Sequence, residues 1–161
     1  MLLKMSSLIS CLNFLGTSVL ISGPTGVGKS FLACAFGTWA CRNKCSVNYF
    51  RWPRFLNHIL ASKGEGKYIN CLDKLAKIDL LIIDDFGLAP LSSSDQSDFM
   101  EIIEERYMKG STIITSQLPM DQWHIAIGNP TIADAICDRL FHNAHRIEMK
   151  GESMRKNVKN S

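Results

Sequence analysis

The strongest constraint on this chain is an eight-residue stretch, GPTGVGKS, at positions 23–30. It satisfies G-x-x-x-x-G-K-[ST] at every specified position. An apolar run, TSVLIS at 17–22, precedes it, and a helical pattern over about 29–43 follows it. A strand that turns sharply into a helix through glycines points backbone N–H groups inward, where the helix N-terminus adds positive potential. Gly23, Pro24, Thr25, Gly26, Val27, Gly28, Lys29 and Ser30, with Phe31 beside them, are therefore expected to enclose the phosphates of ATP. The Lys29 ammonium should reach the β- and γ-phosphates, and the Ser30 hydroxyl should ligate Mg2+.

A second feature answers the first. LLIIDD at 80–85 is four apolar residues followed by two carboxylates. A carboxylate at the C-terminal end of a buried strand faces the ligand crevice of an α/β sheet. Asp84 is thus expected to hold Mg2+ through water, and Asp85 to orient or deprotonate an attacking water. The simpler alternative is that one of them caps the turn at Phe86 and Gly87.

Around these motifs, apolar β-rich runs alternate with helical patterns. Strands are expected at 17–22, 46–52, 79–84, 111–116 and 144–149. Helices are expected from Pro53 to a break at 64–66, and over 68–77, 95–109, 121–127 and 131–142, with Ser94 as an N-cap and Gly110 as a stop. Strands without polar alternation, joined by helices, imply a mostly parallel five-stranded sheet with helices on both faces. The fold class is α/β, a three-layer P-loop nucleotide-binding domain. The strand at 46–52 carries no acid and is expected at the sheet edge, with 111–116 inserted between the first and third strands. The end of that inserted strand, Ser116 and Gln117, should then lie near the γ-phosphate, or serve as an ordinary polar turn before Pro119. No repeat or linker divides the chain, so 17–149 reads as one ATP-binding core, 1–16 as an unplaced segment and 150–161 as a basic tail.

Composition excludes other classes. With 46% hydrophobic and 20% charged residues, a disordered chain is out, and the apolar runs are too short to span a membrane. The net charge of +3 comes entirely from the tail, where Lys150, Arg155, Lys156 and Lys159 face only Glu152. Residues 42–77 hold eight basic and two acidic groups, and 78–105 hold eight acidic and no basic ones, which suggests a polarised surface. Six cysteines lack paired spacing; Cys41 and Cys45 have no second ligand pair for zinc, so free thiols in a reducing cytoplasm are expected. Leu8–Cys11 looks like a lipoprotein cleavage box, but the apolar stretch after Lys4 is shorter than a secretory core.

Two late arginines complete the candidates. Arg139 falls late in a helical pattern, and Arg155 follows the last strand. Spacing alone leaves both as surface arginines, since most arginines are exposed.

Taken together, the motifs resemble the IstB-like transposition helper ATPases, which belong with DnaC and DnaA in one branch of the AAA+ superfamily. The resemblance runs from about Val19 to Lys156 and rests on GPTGVGKSFLACA (23–35), YFRWPRFL (49–56), LAKIDLLIIDDFGLAPL (75–91), STIITSQLP (111–119), Trp123 with His124, and GNPTIADAICDRLFHNAHRIEMKGESMRK (128–156). It implies that Asp84 and Asp85 form a Walker B pair and that Ser116 or Gln117 is a first sensor of phosphate. It also implies that Arg139 acts as a finger on ATP in a neighbouring subunit and that Arg155 is a second sensor. The family's partners, by the same resemblance, are double-stranded DNA, a transposase and further copies of the chain in an ATP-dependent oligomer. Family members carry a longer N-terminal region, whereas 22 residues precede Gly23 here, so a truncated copy is expected. Three alternatives stay open: a DnaC-type helicase loader, a decayed fragment that only binds ATP, and a small-molecule P-loop kinase, for which no acceptor pocket or lid is evident.

Overall fold

The computed structural model describes residues 16–154. The Leu8–Cys11 box and residues 155–161 of the basic tail, Arg155 among them, lie outside the described residues.

The elements follow in the order β1 (Ser18–Ser22), α1 (Lys29–Arg42), β2 (Val47–Arg51), α2 (Trp52–Gly64), α3 (Tyr68–Lys77), β3 (Leu80–Phe86), α4 (Ser93–Arg106), β4 (Ser111–Ser116), a 3-10 turn (Met120–Gln122), α5 (Trp123–Ile127), α6 (Pro130–His142) and β5 (Ala144–Glu148). The five strands form one sheet in the order β2-β3-β4-β1-β5, and every pairing is parallel. This is the α/β architecture expected from the sequence, with β2 at the edge and β4 between β1 and β3.

Alternation along the strands builds two apolar layers. Val19, Ile21, Leu80, Ile82 and Ile113 point to one face and pack on Ala33, Phe36 and Ala40 of α1. Leu20, Leu81, Ile83 and Ile114 point to the other and pack on α2 to α6, around a ring cluster of Trp52, Phe55, Phe86, Phe99 and Trp123. Successive side chains of a strand face opposite ways, so a strand buried on both faces needs apolar residues throughout. Helix α1 lies close enough to the sheet that a Cβ at Gly37 would stand 2.9 Å from Ile82 Cδ1.

Most boundaries fall within one or two residues of expectation, and three of the differences have a clear local reason. Helix α4 is capped by Ser92, not Ser94: the Ser92 hydroxyl accepts from the Asp95 N–H at 3.2 Å, and the Asp95 carboxylate accepts from the Ser92 N–H at 2.9 Å. This reciprocal pair satisfies two end groups, which a lone serine does not. The same helix stops at Arg106 rather than 109, with Met108 at φ 61 in the turn. The Arg106 guanidinium turns inward there, donating to the carbonyls of Leu75, Ile78 and Ser111 and to the Thr112 hydroxyl. Strand β3 continues past Asp84 to Phe86, because a bulge at Asp85 absorbs one residue and lets pairing with β4 resume.

Candidate functional site

Residues 23–28 leave the C-terminal end of β1 and enter α1 at Lys29. Gly26 and Gly28 hold φ of +85 and +99, the left-handed region that glycine enters without strain. Close approach adds a second requirement: a Cβ at Gly26 would meet Ser153 Oγ at 2.1 Å. Residues after β5 cross the loop at that point, tied by Met149 N–H to Ser22 O at 2.7 Å and Met154 N–H to Gly26 O at 2.9 Å. Lys29 is buried, and its ammonium donates to the carbonyls of Gly23 at 2.7 Å and Pro24 at 2.9 Å, across the mouth of the loop.

The loop forms one wall of a cleft of about 490 Å³. Thr25, Gly26, Gly28, Lys29, Ser30 and Phe31 line it from the loop and α1, with Arg51 from β2, Asp85 from β3, Gln117 after β4 and Met154. This volume falls in the range of small-ligand sites, about 300–1,000 Å³.

Asp84 sits at the back of this arrangement, fully buried. Its Oδ1 accepts from the Ser30 hydroxyl at 3.0 Å and from the Thr115 hydroxyl at 2.5 Å, and its Oδ2 accepts from the Tyr49 hydroxyl at 2.6 Å. A buried carboxylate is tolerated only when its lone pairs are filled, and here three hydroxyl donors fill them. None of the three carries charge. Burial and the bond to Asp84 push the Tyr49 phenol up to about 12, while nearby Arg51 works the other way. The Cys34 thiol is also pushed up, by burial and then by Asp84.

Asp85 follows at φ 61, its N–H donating to Thr115 Oγ1 at 3.0 Å. The turn at Gly87 is closed by the Asp85 carbonyl, which accepts from the Leu88 N–H at 3.3 Å, and the Asp85 side chain stands in the cleft wall. Of the two first-sensor candidates, Gln117 is in the cleft, with its side-chain oxygen accepting from the Thr25 hydroxyl at 2.7 Å. Ser116 is buried behind it, its hydroxyl donating to Phe86 O at 2.8 Å and accepting from the Leu118 N–H at 3.1 Å.

Arg139 is not brought to the cleft. It lies on α6 near the start of β1 and β4, at the sheet end opposite the phosphate loop, paired to Glu104 at 2.8 Å and donating to Ala135 O at 3.0 Å. Tyr49, Thr115 and Arg51 are the neighbours that the motif reading missed. The signal for Thr115 was a hydroxyl directly after the two isoleucines of STIITS, in the strand expected next to β3.

The donor set around Asp84 and Ser30 is oxygen only. That suits Mg2+, which takes one or two carboxylates and completes its shell with water and phosphate. Among the described residues no group of three or more His, Cys, Asp or Glu is placed to hold a metal. Among the described residues, too, no helix is long and apolar enough to cross a membrane.

Comparison with known proteins converges on one family. The family model for "IstB-like ATP binding protein" matches residues 4–161. A Sinorhizobium fredii protein, named provisionally as an insertion-sequence ATP-binding protein, is 54% identical over 140 residues, covering 87% of this chain and 57% of the relative. The corresponding protein of insertion sequence IS21 in Pseudomonas aeruginosa is 33% identical over 138 residues, covering 86% of this chain and 52% of the relative. The chain thus spans about half the length of the curated relatives it matches. In fold it resembles a DnaC helicase loader, with a TM-score of 0.73 at 22% identity over 92% of this chain and 88% of that one. It also resembles AMPPCP-bound DnaA from Aquifex aeolicus, with a TM-score of 0.77 at 19% identity over 96% of this chain and 47% of that one. A family match across nearly the whole sequence, joined to the fold shared with these structures, shows that the chain belongs to the IstB-like ATP-binding proteins.

Proposed function

We propose that this chain is the ATP-binding and ATP-hydrolysing core of a DNA-transposition helper, which assembles on double-stranded DNA and stimulates a transposase. The observation that carries the ATPase part is the convergence of Lys29, Ser30 and Asp84, with Asp85 and Gln117, around one cleft. The transposition part is supported by the relatives, which are named for insertion sequences.

In this reading the loop N–H groups and the Lys29 ammonium bind the β- and γ-phosphates, exchanging the Gly23 and Pro24 carbonyls for phosphate oxygens. Ser30 and Asp84 would hold Mg2+, which supplies charge neutralisation on the phosphates. Asp85 is the group placed to orient water or accept its proton, and Gln117 reports the γ-phosphate to the loop through Thr25. Phe31 is exposed at the cleft mouth and offers an apolar surface to the nucleotide. Arg139, remote from its own cleft, acts on ATP bound by a neighbouring copy after leaving Glu104. Arg155, the residue after Met154, serves as a second sensor.

The test is size-exclusion chromatography with ATP and duplex DNA, for the wild type and Lys29→Ala. ATP-dependent assembly on the duplex that Lys29→Ala abolishes is the expected result; assembly indifferent to nucleotide would sink the reading. Capture of a replicative helicase with no effect on a transposase would move the chain to the helicase-loader class.

A further inference from the structure

We infer that Tyr49 is a positioning residue for Asp84: its phenol pins one carboxylate oxygen and so turns the other toward Ser30 and the metal side of the cleft. This rests on the reading of the cleft as an ATP site.

The division of donors is the first argument. Oδ1 of Asp84 meets Ser30 and Thr115, and Oδ2 meets only Tyr49 among the hydrogen bonds described. A carboxylate turns easily about its last bond, whose torsion is broad and roughly two-fold. Two donors on one oxygen leave that rotation weakly defined; a donor on the other oxygen, from a separate strand, defines the plane.

Placement is the second argument. Tyr49 lies on the edge strand β2, which runs parallel to β3 with Arg51 opposite Asp84. The phenol therefore comes from two residues earlier along the neighbouring strand, within reach of a long, rigid side chain. Tyr49 is 42% exposed, whereas the Asp84 it binds is completely buried. Packing does not account for a half-exposed ring that sends its hydroxyl to a buried acid.

Charge is the third. A lysine or arginine in this position would orient the carboxylate but compete with a cation for its charge. A phenol is a neutral donor: it gives one hydrogen bond and brings no positive charge to the carboxylate. Partners that orient a metal-holding carboxylate in this way matter to metal affinity nearly as much as the carboxylate does.

The experiment compares wild type, Tyr49→Phe and Tyr49→Leu, reading the affinity of a fluorescent ATP analogue in excess Mg2+ and again in EDTA. Tyr49→Phe keeps the ring and so guards against simple misfolding. Both variants are expected to bind in EDTA within about twofold of wild type, and to lose about 10-fold of the affinity that Mg2+ confers. A Tyr49→Phe chain that matched wild type in Mg2+ would overturn the inference, as would a loss of equal size in both buffers. Wild type that failed to bind the analogue at all would overturn the ATP-site reading itself, and this inference with it.

Discussion

Ser30 and Asp84, 54 positions apart, meet through a 3.0 Å hydrogen bond from the Ser30 hydroxyl to Asp84 Oδ1. One belongs to the first turn of α1 and the other to the end of β3, and the two elements pack on the same face of the sheet through Phe36, Leu80 and Ile82. The bond joins the start of α1 to the acid strand. It also sets the hydroxyl and the carboxylate side by side, the hydroxyl one residue along the chain from the buried Lys29.

Lys29→Ala should weaken ATP binding. The ammonium is the cation nearest the loop carbonyls, and charge-assisted hydrogen bonds contribute about 1.5–3 kcal/mol, or roughly 10- to 100-fold in affinity. Isothermal titration with ATP and Mg2+ measures this directly. Unchanged affinity would remove residues 23–30 from the proposed site.

Arg139→Ala should leave ATP affinity intact, since Arg139 lies at the far end of the sheet from its own cleft. Turnover in the assembled protein should fall on the order of 10³-fold if the arginine acts in trans. The lost contact with Glu104 is partly exposed and should cost under about 1 kcal/mol, so melting temperature should barely move. Full turnover in an assembled sample would take Arg139 out of the mechanism.

Arg106→Met is a stability prediction. The guanidinium is buried and holds three carbonyls and one hydroxyl, joining the end of α3 to the start of β4. Methionine fills much of the volume but leaves those oxygens unpaired. Each buried oxygen left without its donor costs about 1–3 kcal/mol, so a loss of about 3–5 kcal/mol is expected in all. At roughly 2–4 °C per kcal/mol for a domain this size, the melting temperature should drop by about 10 °C, read by circular dichroism. A shift of a degree or two would mean that water replaces the guanidinium.

Tyr49 predicts a change in stability with pH. Its phenol is pushed from 10 up to about 12 by burial and by the bond to Asp84. A raised value means that the protonated form is favoured by folding, so this stabilisation is present below about pH 10 and lost as pH rises toward 12. Thermal melts of wild type and Tyr49→Phe should diverge below pH 10 and converge above it. Curves that stayed parallel from pH 8 to 12 would refute the Tyr49–Asp84 contact.

Much of the frame was legible in the sequence because its signals are local. GPTGVGKS is contiguous, and loop geometry follows from glycine positions and the helix that begins at Lys29. The apolar strands marked themselves by lacking polar alternation, and the acid-free strand at 46–52 fell at the sheet edge as expected. Boundaries set by reciprocal contacts were less legible: Ser92 outcompetes Ser94 as a cap only because Asp95 returns the hydrogen bond. The early end of α4 belongs with the inward turn of Arg106, whose partners lie on α3 and β4.

The sequence by itself thus determined the α/β class, the phosphate loop and which strand carries the acids, because each depends on neighbours a few residues away. Tertiary structure alone decided which donors surround Asp84. Tyr49, Thr115 and Ser30 come from three different elements, and no spacing in the chain announces that their hydroxyls share one carboxylate. It also placed Gln117, not Ser116, in the cleft wall, since the turn after β4 spends the serine hydroxyl on Phe86 and Leu118. A buried charge must fill its lone pairs from whatever the fold brings within reach, and that reach is a property of packing, not of sequence order.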